Sequence, residues 1–87
     1  MKIINTAIEG VYIIEPQVFE DNRGYFFESY NKQKMDEAGL KYDFIQDNQS
    51  MSKYGTIRGI HFQKGDFAQA KLVRVLEGTV LDVAVDL

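Results

Sequence analysis

Residues 19–28 read Phe-Glu-Asp-Asn-Arg-Gly-Tyr-Phe-Phe-Glu, a turn sequence followed by a run in which aromatic and polar side chains alternate. The Asp21–Gly24 segment has the composition of a tight turn, because Asp, Asn and Gly all favour turn conformations. Successive side chains of a strand point to opposite faces. The run therefore predicts an aromatic-rich strand with Tyr25, Phe27 and Ser29 on one face and Phe26, Glu28 and Tyr30 on the other.

The residues on either side of this stretch predict further short elements. Apolar residues between Val11 and Phe19 flank Pro16, the only proline, and indicate two short strands separated where proline cannot donate to a ladder. Asn31 is suited to cap a helix that runs to Ala38, and Gly39 is suited to end it in the left-handed conformation.

The second half of the chain has the alternation of strands. Segment 40–52 predicts a short strand that leads into a polar loop, and Tyr54-Gly55 predicts a turn. Further strands are predicted at 56–63, 70–76 and 80–87, separated by a turn at 64–66 and a hairpin signal at 77–79. Because only one helix accompanies these strands, the predicted fold class is all-β with one short helix.

The alternation continues to Leu87, with no turn or polar tail after it. Unpaired strand edges are normally covered or blunted in folded proteins. We therefore expect residues 1–87 to form a single but incomplete domain, truncated after Leu87, whose missing strands lie in a longer chain or come from a partner chain.

The composition excludes several classes of function. Hydrophobic residues at 45% and charged residues at 26% are typical of a globular protein. Ten Lys and Arg against 13 Asp and Glu give a net charge of −3, so we expect no general nucleic-acid or anionic-membrane surface. The absence of cysteine excludes disulfides and thiolate catalysis. No signal peptide or membrane span is recognisable, so a cytoplasmic protein is expected.

His61, the only histidine, is the first candidate for chemistry. Histidine is the side-chain type that titrates nearest neutrality, and Arg58, Lys71 and Arg74 lie nearby in the sequence. His61 is therefore either a general base among cations or an ordinary strand histidine bonded to backbone. Arg58 and His61 are three positions apart, so in a regular strand their side chains point to opposite faces. Both reach one face only if a bulge at Gly59 changes the direction of one of them.

Two further groups of polar residues are candidates for binding. Arg23 and Glu28 lie among aromatic residues and are either a nucleotide site or surface charges beside core aromatics. Gln46, Asp47 and Asn48 either hydrogen-bond a sugar or a base edge or shape a turn.

The spacing of Gly55, His61 and Gln63 resembles the first motif of cupins. Metal-binding cupins carry a second histidine in place of Gln63, followed by a glutamate. One histidine and one amide oxygen do not supply the three or four donors that a divalent metal needs. Lys71 would add a positive charge to the same place, so we expect no metal.

Four motifs, at residues 19–28, 46–50, 58–63 and 69–75, occur in the order and spacing of one family. The chain closely resembles the N-terminal part of dTDP-4-dehydrorhamnose 3,5-epimerases, over essentially all its residues. The resemblance implies a cupin jelly-roll and a step of dTDP-rhamnose biosynthesis. In that step dTDP-4-dehydro-6-deoxy-D-glucose is epimerised at C3 and C5 by proton abstraction next to the C4 ketone, giving dTDP-4-dehydro-L-rhamnose without a cofactor.

The resemblance also implies a role for each candidate residue. His61 would be the base, and Lys71 would meet the developing oxyanion or hold the sugar. The remaining residues would bind substrate. Arg23 and Arg58 would contact the diphosphate and nucleotide. The nucleotide and sugar would be contacted by Glu28, Gln46, Asp47 and Asn48.

The family pattern further implies a homodimer with exchanged N-terminal strands, in which Arg23 and Glu28 serve the neighbour's site. The family's catalytic tyrosine and the carboxylate that orients the histidine would lie beyond Leu87. Prolines usual after the histidine strand are replaced by Gly65-Asp66. Two alternatives stay open: a catalytically incomplete fragment or non-catalytic sugar-nucleotide-binding cupin, and a related single-centre epimerase or ketoisomerase.

Overall fold

The computed structural model describes residues 1–87 and contains four short strands, one α-helix and one 3-10 turn. In chain order these elements are β1 (Lys2–Asn5), β2 (Tyr12–Glu15), β3 (Phe19–Asp21), β4 (Gly24–Phe26), α1 (Lys32–Glu37) and the 3-10 turn Gly65–Phe67. Strands outnumber helices, as the sequence predicts. No helix is both long and apolar enough to cross a membrane.

Strands β1 and β2 form an antiparallel hairpin in which Ile3 lies opposite Ile14. Strand β1 is not among the elements that the sequence pattern predicts. The Thr6 hydroxyl holds the connecting loop by donating a hydrogen bond to the Val11 carbonyl, at 2.7 Å. The predicted separation of β2 from β3 at Pro16 is confirmed.

Strands β3 and β4 form a second antiparallel hairpin, with Asn22 and Arg23 as its two-residue loop. The Asp21 carboxylate accepts a hydrogen bond from the Arg23 backbone N–H at 2.8 Å, which closes an Asx turn. The predicted turn and the strand after it are thus confirmed. The strand is shorter than predicted, since it ends at Phe26 instead of Tyr30.

Helix α1 has the predicted cap at each end. The Asn31 side chain accepts a hydrogen bond from the Lys34 N–H at 3.0 Å, which satisfies a free donor of the first turn. Gly39 has a φ of +86°, which a residue with a β-carbon rarely adopts. Beyond it, the Leu40 N–H bonds to the Met35 carbonyl at 2.9 Å, the pattern of a Schellman motif.

The only buried side chains, Met35 and Leu40, belong to this helix end and are 4% and 6% exposed. An apolar contact between these two positions usually accompanies a Schellman motif. Beside them, Phe44 packs edge-on against Tyr30 with ring centroids 5.6 Å apart, and Tyr42 lies 6.1 Å from Phe44. The small core is therefore formed by α1 and the residues that flank it.

No strand forms after α1, so the strands predicted within 40–52 and at 56–63, 70–76 and 80–87 are wrong. A strand requires a neighbour that accepts and donates its backbone hydrogen bonds. After residue 45 the backbone hydrogen bonds are all local, namely Thr56 to Lys53, Phe67 to Lys64 and Ala68 to Gly65. Alternation therefore indicates where strands can form, but not that partners are present.

Two of the predicted turns in this region are confirmed. The Thr56 N–H bonds to the Lys53 carbonyl at 3.1 Å around Tyr54-Gly55, and the second predicted turn is the 3-10 turn. Residues 76–78 form a bend, but it joins no paired strands, so the predicted hairpin there is wrong.

The molecule is more open than a compact domain of its length. Its radius of gyration is 15.0 Å, whereas a compact chain of this size has about 12 Å. Every side chain from residue 45 to residue 87 is exposed. The hairpins and the capped helix are therefore the ordered framework on which candidate site residues are placed.

Candidate functional site

The tip of the β3–β4 hairpin presents Arg23, whose side chain is 87% exposed. Its Nη2 lies 2.6 Å from Asp21 Oδ2, and its Nε lies 3.1 Å from the same oxygen. The side-chain hydrogen bond between the two groups lowers the pKa of Asp21 and raises the pKa of Arg23. Both groups are thus held in their charged forms, with the guanidinium in a defined orientation.

An open concavity of about 510 Å³ lies along this hairpin. Its lining combines the charges of Asp21 and Arg23 with the rings of Phe19, Tyr25 and Phe26. All three rings are more than half exposed. A guanidinium beside exposed aromatic faces can bind an anion and a flat ring in one ligand.

A stacked aromatic pair extends from this concavity. The rings of Tyr25 and Phe27 lie 6.0 Å apart at 15° to each other, which confirms that they share a face. The Arg74 guanidinium lies 5.8 Å from the Phe27 ring centroid. This cation–π contact places the Arg74 side chain beside Phe27, directly after β4.

Glu28, the second candidate of the hairpin region, pairs with helix α1. Its Oε1 lies 3.1 Å from Lys34 Nζ. Hydrogen bonding to Lys34 lowers the pKa of Glu28, and the Asn31 side chain adds to this shift. Arg23 and Glu28 do not contact each other, since each pairs with a different partner.

The amide segment and Arg58 form two separate local groups. Gln46 Nε2 donates to Asn48 Oδ1 at 3.4 Å, whereas Asp47 makes no side-chain hydrogen bond or ion pair. Arg58 Nε donates to Ser52 Oγ at 2.7 Å. All of these side chains are exposed and can reach a ligand.

His61 and Lys71 lie in segments without regular structure, where both are exposed and neither makes a hydrogen bond or an ion pair. Gly59 has a φ of +142° and so marks an irregular backbone, but a strand bulge is not formed because the segment is not in a strand. No group of three or more His, Cys, Asp or Glu residues could hold a metal ion.

Two residues that make site contacts, Asp21 and Lys34, receive no site role from the sequence pattern. The pattern predicts Arg74 among the cations around His61, whereas it lies beside Phe27. A signal was present for Asp21, because Asp at the start of a turn bonds the backbone two residues on. No short-range rule links Glu28 to Lys34 across the start of a helix. The contact between Arg74 and Phe27 is long-range in sequence and leaves no local signal.

Comparison with known proteins identifies the family. The family model described as dTDP-4-dehydrorhamnose 3,5-epimerase matches residues 5–87. The chain belongs to the dTDP-4-dehydrorhamnose 3,5-epimerase family. This confirms the resemblance seen in the four sequence motifs.

Curated dTDP-4-dehydrorhamnose 3,5-epimerases are similar along the whole chain. The enzyme of Salmonella typhimurium is 57% identical over 88 residues, and that of Escherichia coli K12 is 50% identical over 88 residues. Each alignment covers 100% of this chain and 48% of the relative. The enzyme of Methanothermobacter thermautotrophicus is 51% identical, over 99% of this chain and 46% of its own length. The chain thus spans about half the length of these relatives.

A solved structure of the same family also resembles this one. The crystal structure of dTDP-4-dehydrorhamnose 3,5-epimerase from Elizabethkingia anophelis NUHP1 matches with a TM-score of 0.71 at 55% identity. The match covers 78% of this chain and 38% of that chain. The backbone therefore follows an epimerase-family structure over most of its length, including segments that form no ladder here.

Proposed function

We propose that this protein is an isomerase that epimerises dTDP-4-dehydro-6-deoxy-D-glucose at C3 and C5. The observation that carries the proposal is the family match over residues 5–87, a range that contains every residue given a role below. Because the chain spans about half of its relatives, the activity and the substrate of the whole enzyme are proposals for this chain.

The chemistry is proton transfer beside a ketone. Both carbons adjoin C4, so transfer of either proton to a base gives an enolate. A proton delivered to the opposite face inverts the centre, and its donor in this proposal is the family's tyrosine, expected beyond Leu87. A ketone α-proton is about 12 pK units less acidic than an imidazolium, a gap of about 16 kcal/mol. A base alone does not close this gap, so the enolate oxygen needs stabilisation by a cation or by hydrogen-bond donors. We assign His61 as the base and Lys71 as that cation or as a ligand of the sugar.

The remaining candidates bind the nucleotide end of the substrate in this proposal. Arg23 and Arg58 bind the diphosphate, and Glu28 with Gln46, Asp47 and Asn48 binds the nucleotide and sugar. The support for this assignment is the aromatic concavity beside Arg23, which suits a ligand that carries both an anion and a base. The proposed reaction uses no metal and no organic cofactor.

The fold and the assembly are also part of the proposal. We infer a cupin jelly-roll whose N-terminal strands are exchanged within a homodimer. The two hairpins are paired within themselves and share no ladder with residues 40–87. A hairpin that pairs with no other part of its chain can pair with a second copy of the protein. In such a dimer Arg23 and Glu28 can serve the neighbour's site.

Hydrogen exchange at the substrate carbons tests the activity. We expect the C3 and C5 proton signals of dTDP-4-dehydro-6-deoxyglucose to disappear in D₂O with the wild-type chain. His61→Ala should slow both exchanges by about 100-fold or more, since it removes the base. Lys71→Met should slow both as well, whereas Lys41→Met, an exposed lysine outside the site, should have no effect. Exchange that persists at either carbon in His61→Ala would contradict a single shared base.

A second function, sugar-nucleotide binding without turnover, is favoured by the exposure of His61 and Lys71. Charge stabilisation at a developing oxyanion is strongest where water is excluded. This function predicts that the substrate perturbs the NMR signals of the hairpin while its C3 and C5 protons remain.

Two related activities would give other results. Loss of one proton signal alone would indicate a single-centre epimerase, and movement of the ketone between C4 and C3 would indicate a ketoisomerase.

A further inference from the structure

We propose that Asp21 is a positioning residue that holds the Arg23 guanidinium ready to bind the diphosphate of the sugar nucleotide. This inference rests on the proposed function, because it assumes that Arg23 binds the diphosphate. It gives Asp21, which the sequence motifs place only in a turn, a role in substrate binding.

The hydrogen bonds of the hairpin tip carry the inference. One oxygen of Asp21 accepts from the Arg23 backbone N–H at 2.8 Å, and the other accepts from Nε and Nη2 at 3.1 Å and 2.6 Å. A single carboxylate thus binds the backbone and the far end of the same arginine. The side chain is fixed at both ends, although it is 87% exposed.

This arrangement leaves room for a ligand on the guanidinium. An arginine has five N–H donors, of which Asp21 engages two, so three remain for phosphate oxygens. The planar fork of arginine binds a carboxylate on one edge and an anion on the other. Asp21 therefore orients Arg23 without occupying all of its donors.

The positioning role and a purely electrostatic role predict changes of opposite sign. Holding a long side chain in its bound conformation before binding is worth about 2- to 12-fold in affinity. If Asp21 acted only through its charge, its removal would strengthen anion binding, because one nearby negative charge is lost. As an exposed ion pair, the contact adds little to folding stability, so its main effect is on binding.

The test is a titration of the 87-residue chain with thymidine 5′-diphosphate, followed by NMR. Asp21→Asn retains an oxygen for the backbone bond but replaces the other with an amide that cannot accept from the guanidinium. We expect it to weaken binding about 3- to 10-fold. Glu15→Gln is the matched control, since Glu15 is an exposed carboxylate outside the concavity and makes no side-chain hydrogen bond. It should leave affinity unchanged or slightly improved.

A double-mutant cycle shows whether Asp21 acts through Arg23. We expect Arg23→Ala to weaken binding and Asp21→Asn to have no further effect in that background. Additive effects, or tighter binding by Asp21→Asn, would overturn the positioning role. If Arg23→Ala itself leaves affinity unchanged, the diphosphate role of Arg23 and this inference both fail. If Arg23→Ala weakens binding but Asp21→Asn does not, only this inference fails.

Two measurements keep the test valid if Asp21→Asn disturbs the hairpin. Cross-strand NOEs between Phe19 and Phe26 report whether β3 and β4 remain paired. Arg23→Lys keeps the charge but lacks the fork, and we expect it to lose affinity to the same extent as Asp21→Asn.

Discussion

Charged side chains of this protein pair within one hairpin, one helix or the residues next to them. Asp21 pairs with Arg23 in a turn, and Lys32 lies 2.8 Å from Asp43, just beyond the helix. Exposed pairs of this kind contribute little to the free energy of unfolding. They do orient the side chains, so the directions of Arg23 and Glu28 are decided by their ion-pair partners.

The ion pair of Glu28 predicts a pH dependence. Its pKa is lowered by Lys34 in the folded chain, so folding favours the ionised carboxylate. The contribution of this pair is therefore present above the ordinary glutamate pKa of about 4.3 and is lost as pH falls through the lower, folded pKa. We expect the Glu28 carboxyl ¹³C signal to titrate below that ordinary value.

Lys34→Met is the control for this titration. Without the ammonium group, the Glu28 pKa should rise toward the ordinary value, while the pKa of Asp21, which pairs with Arg23, should stay lowered. An unchanged Glu28 titration in this variant would contradict the Lys34 pair.

At the scale of single elements, α1 depends on its ends. A helix of six residues is too short to be stable in water by hydrogen bonding alone. Its first turn is completed by Asn31 and its last by Gly39 and Leu40. The caps therefore decide whether the only buried side chains of the molecule come together.

Removing either cap should destabilise this element. We expect Asn31→Ala to cost about 1 kcal/mol, because a helix N–H loses its partner. Gly39→Ala should cost about 1–2 kcal/mol, because its φ is +86° and alanine is strained there. No atom lies within 4 Å of the added β-carbon, so the cost is conformational and not steric.

Circular dichroism and the Tyr30–Phe44 NOE would measure both losses, since this aromatic pair packs beside the helix. Gln33→Ala, at an exposed position in the first turn of the helix, should retain the helical signal. Wild-type helicity in Gly39→Ala would contradict the terminating role of Gly39.

At the scale of the whole molecule, the backbone is largely unpaired. The structure contains 20 backbone–backbone hydrogen bonds, whereas a compact domain of this length has about 60. Large apolar side chains of the predicted strands, such as Leu81 at 90% exposure, face solvent. Burial of apolar side chains therefore contributes little to the stability of the isolated chain.

Amide hydrogen exchange should reflect this openness. We expect residues 80–87 of the dilute chain to exchange at the rates of an unstructured peptide, because their N–H groups have no partners. The amides of β1 and β2, which share a ladder, should exchange more slowly. At higher concentration the proposed homodimer should slow exchange in the predicted strands. Strong protection of 80–87 at all concentrations would contradict the open structure.

Much of the local structure could be predicted from the sequence. The turn at Asp21–Gly24, the Asn31 cap, the Gly39 terminator and the shared face of Tyr25 and Phe27 are all confirmed. Each depends on backbone preferences or hydrogen bonds between residues a few positions apart. The four motifs were likewise sufficient for the family, since residue type and spacing are properties of the sequence itself.

Residue type and spacing alone are therefore enough to predict the turns, the capped helix and the family. Only the folded molecule shows which alternating segments become strands, that Arg74 lies on Phe27 and that Lys34 pairs with Glu28. The physical reason is that alternation provides a strand with an apolar face but no partner. A ladder or a long-range contact forms only when burial and pairing exceed the entropy lost in closing the intervening chain.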